Sequence, residues 1–344
     1  MKRIRYLSPG LAGFLALVTL AAGFVAGKAV FDSPASSEAA AGPAAVAGTE
    51  VDVIVKATDS EFWQSMLAGA KKAGTDLGVK TSLFGPTSEA DIEPQVRLVE
   101  SSIARGAKAI VLAANSSTAL NGVIDRARQA GVKVITVDNK VTTASDGFIG
   151  TDNVKAGQQA GERMCKLITD AGKADGKVLH ESAVSGVQVL IDRFEGFKSG
   201  LAKDCPQARI TQTLVNDNDL NKAVGQVNDA ITSTPDLAGI FADNNTSGTG
   251  AAKAVTEKNA GDRLAVVAFD SDPAEVQAVR DGAIDAIVVQ NPFFFGYQGV
   301  AEAAMAVVGS NPPVNLDPGA VLVDGGNVGA KELQPLLNPP KTKG

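Results

Sequence analysis

The stretch VDVIVKATDSEFWQSMLAGAKKAGTDLGVKTSLF, residues 51–84, decides the fold class. It opens on a β-branched run, Val51 to Lys56, turns through a short polar segment, continues as an amphipathic stretch of helical length, Glu61 to Leu77, and closes on a second strand run, Lys80 to Phe84. A strand, a crossover helix and a second strand make a unit whose strands pair in parallel. The alternation persists outward, with strand runs Ala109 to Ala113, Lys133 to Val137 and Gly147 to Ile149 separated by helices Glu89 to Arg105 and Ser117 to Ala130. It then repeats. Strands are expected near Lys177 to Glu181, Arg209 to Val215, Gly239 to Ala242, Leu264 to Phe269 and Ala286 to Gln290. Their helices are Val154 to Ala171, Val187 to Ala202, Leu220 to Ser233, Thr249 to Asn259 and Pro273 to Asp281. A helix Phe295 to Val308 and a strand near Ala320 to Val323 follow. The class is α/β, as two similar units, each a parallel sheet covered by helices on both faces.

With 344 residues, 44% hydrophobic and 20% charged, the chain can bury the cores of two ordinary domains. Its net charge of -6 argues against a nucleic-acid surface, which needs a basic stripe to neutralise phosphates. Lys2, Arg3 and Arg5 precede an apolar run from Leu11 to Val25, the pattern of an export segment. Residues 1–31 read as a cleaved signal peptide or a retained anchor, and both readings stand because small-residue sites recur. Residues 32–49, rich in Ala, Gly, Pro and Ser, read as a linker. No cysteine follows the apolar run to accept a lipid. The only cysteines, Cys165 and Cys205, fall in the exported part, where one disulfide or two separate buried thiols are both open.

In open parallel sheets ligands sit beyond the carboxyl ends of the strands, so the residues there are the ones to read. After the first strand come Thr58, Asp59, Ser60, Glu61, Phe62 and Trp63. One reading is a helix cap followed by core aromatics; the other is that Phe62 or Trp63, the sole tryptophan, stacks on the C–H face of a sugar ring. Asn115 ends the third strand and Asp138-Asn139 the fourth, while the second unit supplies Asn244, Asp270 and Gln290 in equivalent places. Each alone is an ordinary turn or cap residue. Together, planar amides and carboxylates offer the paired donors and acceptors that match neighbouring hydroxyls. Arg193 adds a planar fork or, on the plainer reading, a surface ion pair with Asp192 or Glu195.

These residues, in this order, resemble the ribose-type branch of the type I periplasmic sugar-binding proteins, from about Val51 to about Val323. The matching stretches are Thr58 to Trp63, Val134 to Asp138, Gly150 to Asn153, Asp192 to Phe197, Phe241 to Asn244 and Val267 to Asp270. The resemblance implies two Rossmann-like lobes joined by a three-segment hinge near Gly150 to Asn153, Gln290 to Pro292 and Asp317 to Ala320. The lobes would be 50–151 with 292–318, and 152–291 with 319–330, leaving a C-terminal tail at 331–344. Its ligand shell falls on Ser60, Phe62, Trp63, Asn115, Asp138, Asn139, Arg193, Asn218, Asn244, Asp270 and Gln290. It implies a monomer that closes over a small sugar or sugar alcohol and delivers it to the membrane permease of an ATP-driven importer. Two positions depart from the pattern: Asn139 stands where ribose binders carry arginine, and Asn218 where an aromatic is usual. Loss of the charged fork points to a polyol or a pentose other than ribose.

Enzyme chemistry finds no footing. The sole histidine, His180, ends a strand and suits a structural role, and no partner completes a triad. Two isolated cysteines cannot build a zinc site, and no cofactor is expected. The Gly-rich segments Asn245 to Gly250 and Asp324 to Gly329 lack the Gly-Lys-Ser/Thr ending of a phosphate loop and read as loops. Asn115 and Asn244 fit the N-glycosylation pattern, but both fall in the expected cleft. A regulator of the same fold would carry a DNA-reading head where the apolar segment stands. A receptor that presents its closed form to a membrane sensor remains the alternative to transport.

Overall fold

The computed structural model describes residues 43–342 except Val314, so the expected export segment and the expected linker up to residue 42 lie outside the described residues. The chain opens with a short helix α1 (Pro43–Val46) and proceeds through β1 (Glu50–Ile54), α2 (Glu61–Leu77), β2 (Lys80–Phe84), α3 (Ile92–Ala104), β3 (Ala109–Leu112), α4 (Asn121–Gln129), β4 (Lys133–Val137) and β5 (Gly147–Ile149). These strands form one parallel sheet in the order β2-β1-β3-β4-β5. The second series is α5 (Asn153–Asp170), β6 (Lys177–Ser182), α6 (Gln188–Asp204), β7 (Arg209–Val215), α7 (Leu220–Ser233), β8 (Leu237–Ala242), α8 (Asn245–Glu257), β9 (Ala265–Phe269), α9 (Pro273–Asp281) and β10 (Ala286–Val289). The chain then returns through α10 (Pro292–Val307), adds β11 (Val321–Asp324), and ends in a 3-10 turn (Lys331–Leu333) and α11 (Gln334–Leu337). The second sheet runs β11-β10-β9-β8-β6-β7, parallel except for β11, which pairs antiparallel with β10.

The central strands are apolar on both sides because both faces of each sheet are covered. In the first lobe, α2 and α10 bury one face with Met66, Phe295 and Val111, and α3 and α4 bury the other with Val99, Ile110 and Ile124. In the second lobe, α5 and α6 cover one face through Met164, Phe197 and Phe241, while α7, α8 and α9 cover the other through Val227, Val255 and Val276. Two α/β/α sandwiches result. The chain passes from the first sheet to the second after β5, back after β10, and again after residue 316, whose backbone is bridged to Ile149.

Helix α2 starts on Ser60, whose hydroxyl accepts from the Trp63 amide, and ends on left-handed Gly78. Several expectations need correcting. The linker is not wholly unstructured: α1 forms inside it and Val46 is buried against the α2 and α10 layer, which an apolar residue gains by joining. The Gly-rich Asn245 to Gly250 is not a loop but the opening of α8, because Asn244 caps it by accepting from the Ser247 amide. Helix α10 begins ahead of Phe295, at Pro292, capped by the Asn291 side chain. Helix α3 begins at Ile92 rather than Glu89, whose carboxylate is drawn to Trp63. The 331–344 segment is not a loose tail throughout, since Leu337 is buried in the second lobe's core. Cys165 on α5 and Cys205 at the end of α6 are joined by a disulfide, with Cα atoms 5.6 Å apart.

Candidate functional site

Parallel strands that end together deliver their last residues to one edge, and here the two edges face each other across a cleft lined by both lobes. From the first lobe, β1 leads into Lys56, which is 2% exposed. Its ammonium lies 2.7 Å from the Asp138 carboxylate at the end of β4, and 5.6 Å from the Trp63 ring centroid. Asp138 is held in the left-handed region at φ 62, a conformation aspartate tolerates better than most residues. Phe62 meets Trp63 edge to face, with centroids 4.7 Å apart. The Trp63 indole N–H donates to Glu89 at 2.7 Å. Withdrawal from water pushes the Glu89 carboxyl above its ordinary value, against the opposing pull of Lys56 and the indole.

The second lobe answers with Arg193 on α6, 3% exposed. Its Nε donates to Asn153 at 3.0 Å, Nη1 to the Asp243 carbonyl at 2.7 Å, and Nη2 to the Gln290 side chain, while the guanidinium lies 4.2 Å from the Phe269 ring centroid. Gln290 in turn donates to the Thr151 hydroxyl at 2.9 Å, so residues of two chain crossings orient the fork. Asp270, at φ 80, accepts from the Asn245 amide through one oxygen; the other has no protein partner. Burial raises its carboxyl to about 7, opposed by Arg193 and aided by Asp272 and Asp138. His180 lies behind this layer, stacked on Phe194 at 3.9 Å between Thr213 and Asp243, and does not line the cleft.

The central cavity, about 40 Å³, is bounded by Ser60, Phe62, Trp63, Asp138, Arg193, Asn244, Asp270 and Gln290 among the expected residues. Three expected residues do not line it. Asn139 is fully buried and donates its amide to the Ala114 carbonyl; it borders a separate hinge-side cavity of about 350 Å³. Asn218, itself left-handed at φ 58, accepts from the Asn244 amide and so holds Asn244 in place. Asn115 is buried at the end of β3 with neither amide atom partnered. Sequence reasoning missed Lys56 and Glu89, and with them the apolar wall formed by Val184, Val187, Val189 and Leu190. A lysine directly after the buried apolar run Val53 to Val55 was the available signal for Lys56. A cavity this small with walls from both lobes requires the lobes to part before a ligand can pass.

A family model described as the periplasmic binding protein domain matches residues 51–311. The chain belongs to this family. Among curated relatives, the ribose import binding protein of Haemophilus influenzae is 27% identical over 254 residues, covering 74% of this chain and 84% of its own. The D-allose-binding periplasmic protein of Escherichia coli is 27% identical over 273 residues, with coverage of 74% and 84%. Among solved structures, a carbohydrate transporter solute binding protein from Agrobacterium radiobacter in complex with D-arabinose superposes with a TM-score of 0.82 at 31% identity, covering 85% of this chain and 99% of that one. A periplasmic binding protein of this fold works by binding and release, and the chain is not an enzyme. Among the described residues no cluster of His, Cys, Asp and Glu could hold a metal, and no helix is long and apolar enough to cross a membrane.

Proposed function

We propose that this protein is the extracytoplasmic solute-binding component of an ATP-driven importer, and that it closes its two lobes over a neutral monosaccharide or sugar alcohol. The observation that carries the reading is the Asp270 carboxylate, buried in a cleft with Arg193 and the Phe62–Trp63 pair and holding an oxygen that no protein group satisfies. A buried acceptor without a partner is costly, and a ligand hydroxyl is the natural donor. Asp138, Asn244, Gln290 and Ser60 extend the polar rim, and Lys56 and Glu89 join it. Lys56 supplies beside Asp138 a cation that takes the place of the arginine missing at Asn139. That substitution, with Asn218 turned to Asn244, favours a sugar alcohol or a pentose other than ribose. Asp138 and, above pH 7, Asp270 offset the two cations Lys56 and Arg193, and Glu89 adds no positive charge, so the cleft holds no surplus cation to favour sugar acids and sugar phosphates.

The relatives named for ribose and D-allose and the neighbour bound to D-arabinose support a sugar ligand and delivery to a permease. The charged and apolar N-terminal pattern supports export. The test is a thermal-shift panel of D-ribose, D-allose, D-arabinose, erythritol, xylitol, sorbitol and D-galacturonate. A cognate sugar or polyol at one hundred times its Kd adds about 2.7 kcal/mol of stability and raises Tm. D-galacturonate leaves it unchanged. A panel with no neutral hit, or with galacturonate the strongest, would sink the reading.

A further inference from the structure

The C-terminal segment starts in one lobe and finishes on the other. Its base is fixed in the second lobe, where Leu337 is 2% exposed in the core that holds Val276 and Val328, and Gln334 donates to the carbonyls of Val328 and Ala330 at 3.0 Å each. Asn338 closes α11 through its backbone amide, which donates to the Gln334 carbonyl at 2.8 Å. Pro339 and Pro340 follow, a pair whose fixed φ makes a stiff, low-entropy spacer. Beyond them the Lys341 ammonium pairs with Glu61, and the Thr342 hydroxyl bonds the Gln64 side chain, both on the opening turns of α2 in the first lobe. The segment lies against the binding residues themselves. Asn338, Pro339 and Lys341 wall a chamber of about 150 Å³ together with Phe62, Asp270 and Gln290, all three of which also line the central cavity.

We infer that the C-terminal segment is a strap that ties the second lobe to the first and holds the cleft closed. Any parting of the lobes must pull Lys341 and Thr342 off α2, because Leu337 is anchored in one core and Glu61 and Gln64 belong to a helix packed on the other. Lys341 and Glu61 are 38% and 44% exposed, so their attraction is weak and screened by salt. A contact of that strength biases the open–closed equilibrium without locking it, and leaves it sensitive to ionic strength.

The closing motion is taken from the function proposed above, and the decisive readout needs no ligand. Full-length protein, a truncation ending at Asn338, the K341E variant and the E61K/K341E double variant are compared by small-angle X-ray scattering without ligand, at ionic strengths of about 0.01 M and 1 M. At low salt the truncation and K341E have a larger radius of gyration than the full-length protein, the double variant returns to the full-length value, and high salt brings the full-length protein toward the truncated one. The dissociation rate of D-arabinose, read through Trp63 fluorescence, rises about 2- to 5-fold in the truncation and in K341E. Equal radii for all four proteins at low salt overturn the strap. So does a double variant that stays as open as K341E, since the segment would then act only through the second lobe's fold. Failure of every protein to bind D-arabinose counts against the choice of sugar and leaves the scattering comparison to decide.

Discussion

Asp270 shows at the scale of one residue how the cleft trades stability for binding. Its ordinary carboxyl value is 3.8, and burial lifts it to about 7. Below 3.8 the folded and unfolded chains both hold the proton. Between 3.8 and 7 the unfolded chain releases it while the folded chain keeps it, so stability falls as pH rises through that window, and above it the deficit stays constant. Asp270→Asn removes the penalty. In urea unfolding at pH 8 the ligand-free variant should be more stable than the parent by on the order of 2–4 kcal/mol, with the gain gone by pH 4, while its affinity for the cognate sugar drops. A variant no more stable at pH 8 than the parent would mean the carboxylate is better solvated than its burial indicates. Asp270 was legible as a strand-end carboxylate, but Lys56 and Glu89 were not. Lys56 draws its meaning from Asp138, three βα units later in the chain, and Glu89, in the turn before α3, from Trp63 on α2.

At the scale of elements, the position of Arg193 depends on how closely α5 approaches α6. A Cβ added at Gly157 would collide with the Arg193 carbonyl, and one at Gly196 with the Val154 carbonyl. Gly157→Ala must therefore push α6 and its arginine away from α5. It is expected to cost roughly 1–3 kcal/mol by denaturant unfolding and to weaken ligand binding as well. Gly225 on α7 is the control: nothing lies within 4 Å of its added Cβ, so Gly225→Ala should stabilise by about 0.5–1 kcal/mol without touching affinity. Equal effects at the two sites would refute the close-approach account. Helix α7 was bounded correctly from periodicity and caps, as were α2 and α9. The starts of α3, α8 and α10 were misplaced because capping by Asn244 and Asn291 and the diversion of Glu89 to Trp63 are choices between competing local hydrogen bonds.

For the molecule as a whole, the Cys165–Cys205 bridge ties α5 to the end of α6 across a sequence separation of 40. Closing a loop of that length in the unfolded chain is worth about 4 kcal/mol in the chain-entropy account. Reduction, or the Cys165→Ala/Cys205→Ala pair, should lower Tm by several degrees while leaving sugar affinity nearly intact, because neither sulfur lines the cleft. A double variant with unchanged Tm would show that native packing of α5 on α6 already restricts the same ensemble. The two-lobe plan was legible from the doubled alternation of strands and helices. The landing of α11 in the second lobe's core and of Lys341 on the first lobe was not, since a segment reading LNPPKTKG carries no periodicity to say which surface it meets.

Periodicity, caps and strand-end chemistry thus determined the α/β class, the doubling of the sheet and most of the polar groups that converge on the cleft, because those signals act over a turn of helix or a few residues of strand. Only the tertiary structure decided that Lys56 faces Asp138, that Asn139 and Asn218 serve as supports away from the cavity wall, that the two cysteines bond, and that the C-terminal segment crosses between lobes. Each of those outcomes depends on groups far apart in the chain, and the free energy that pairs them exists only once the sheets have formed and water has been excluded from between them.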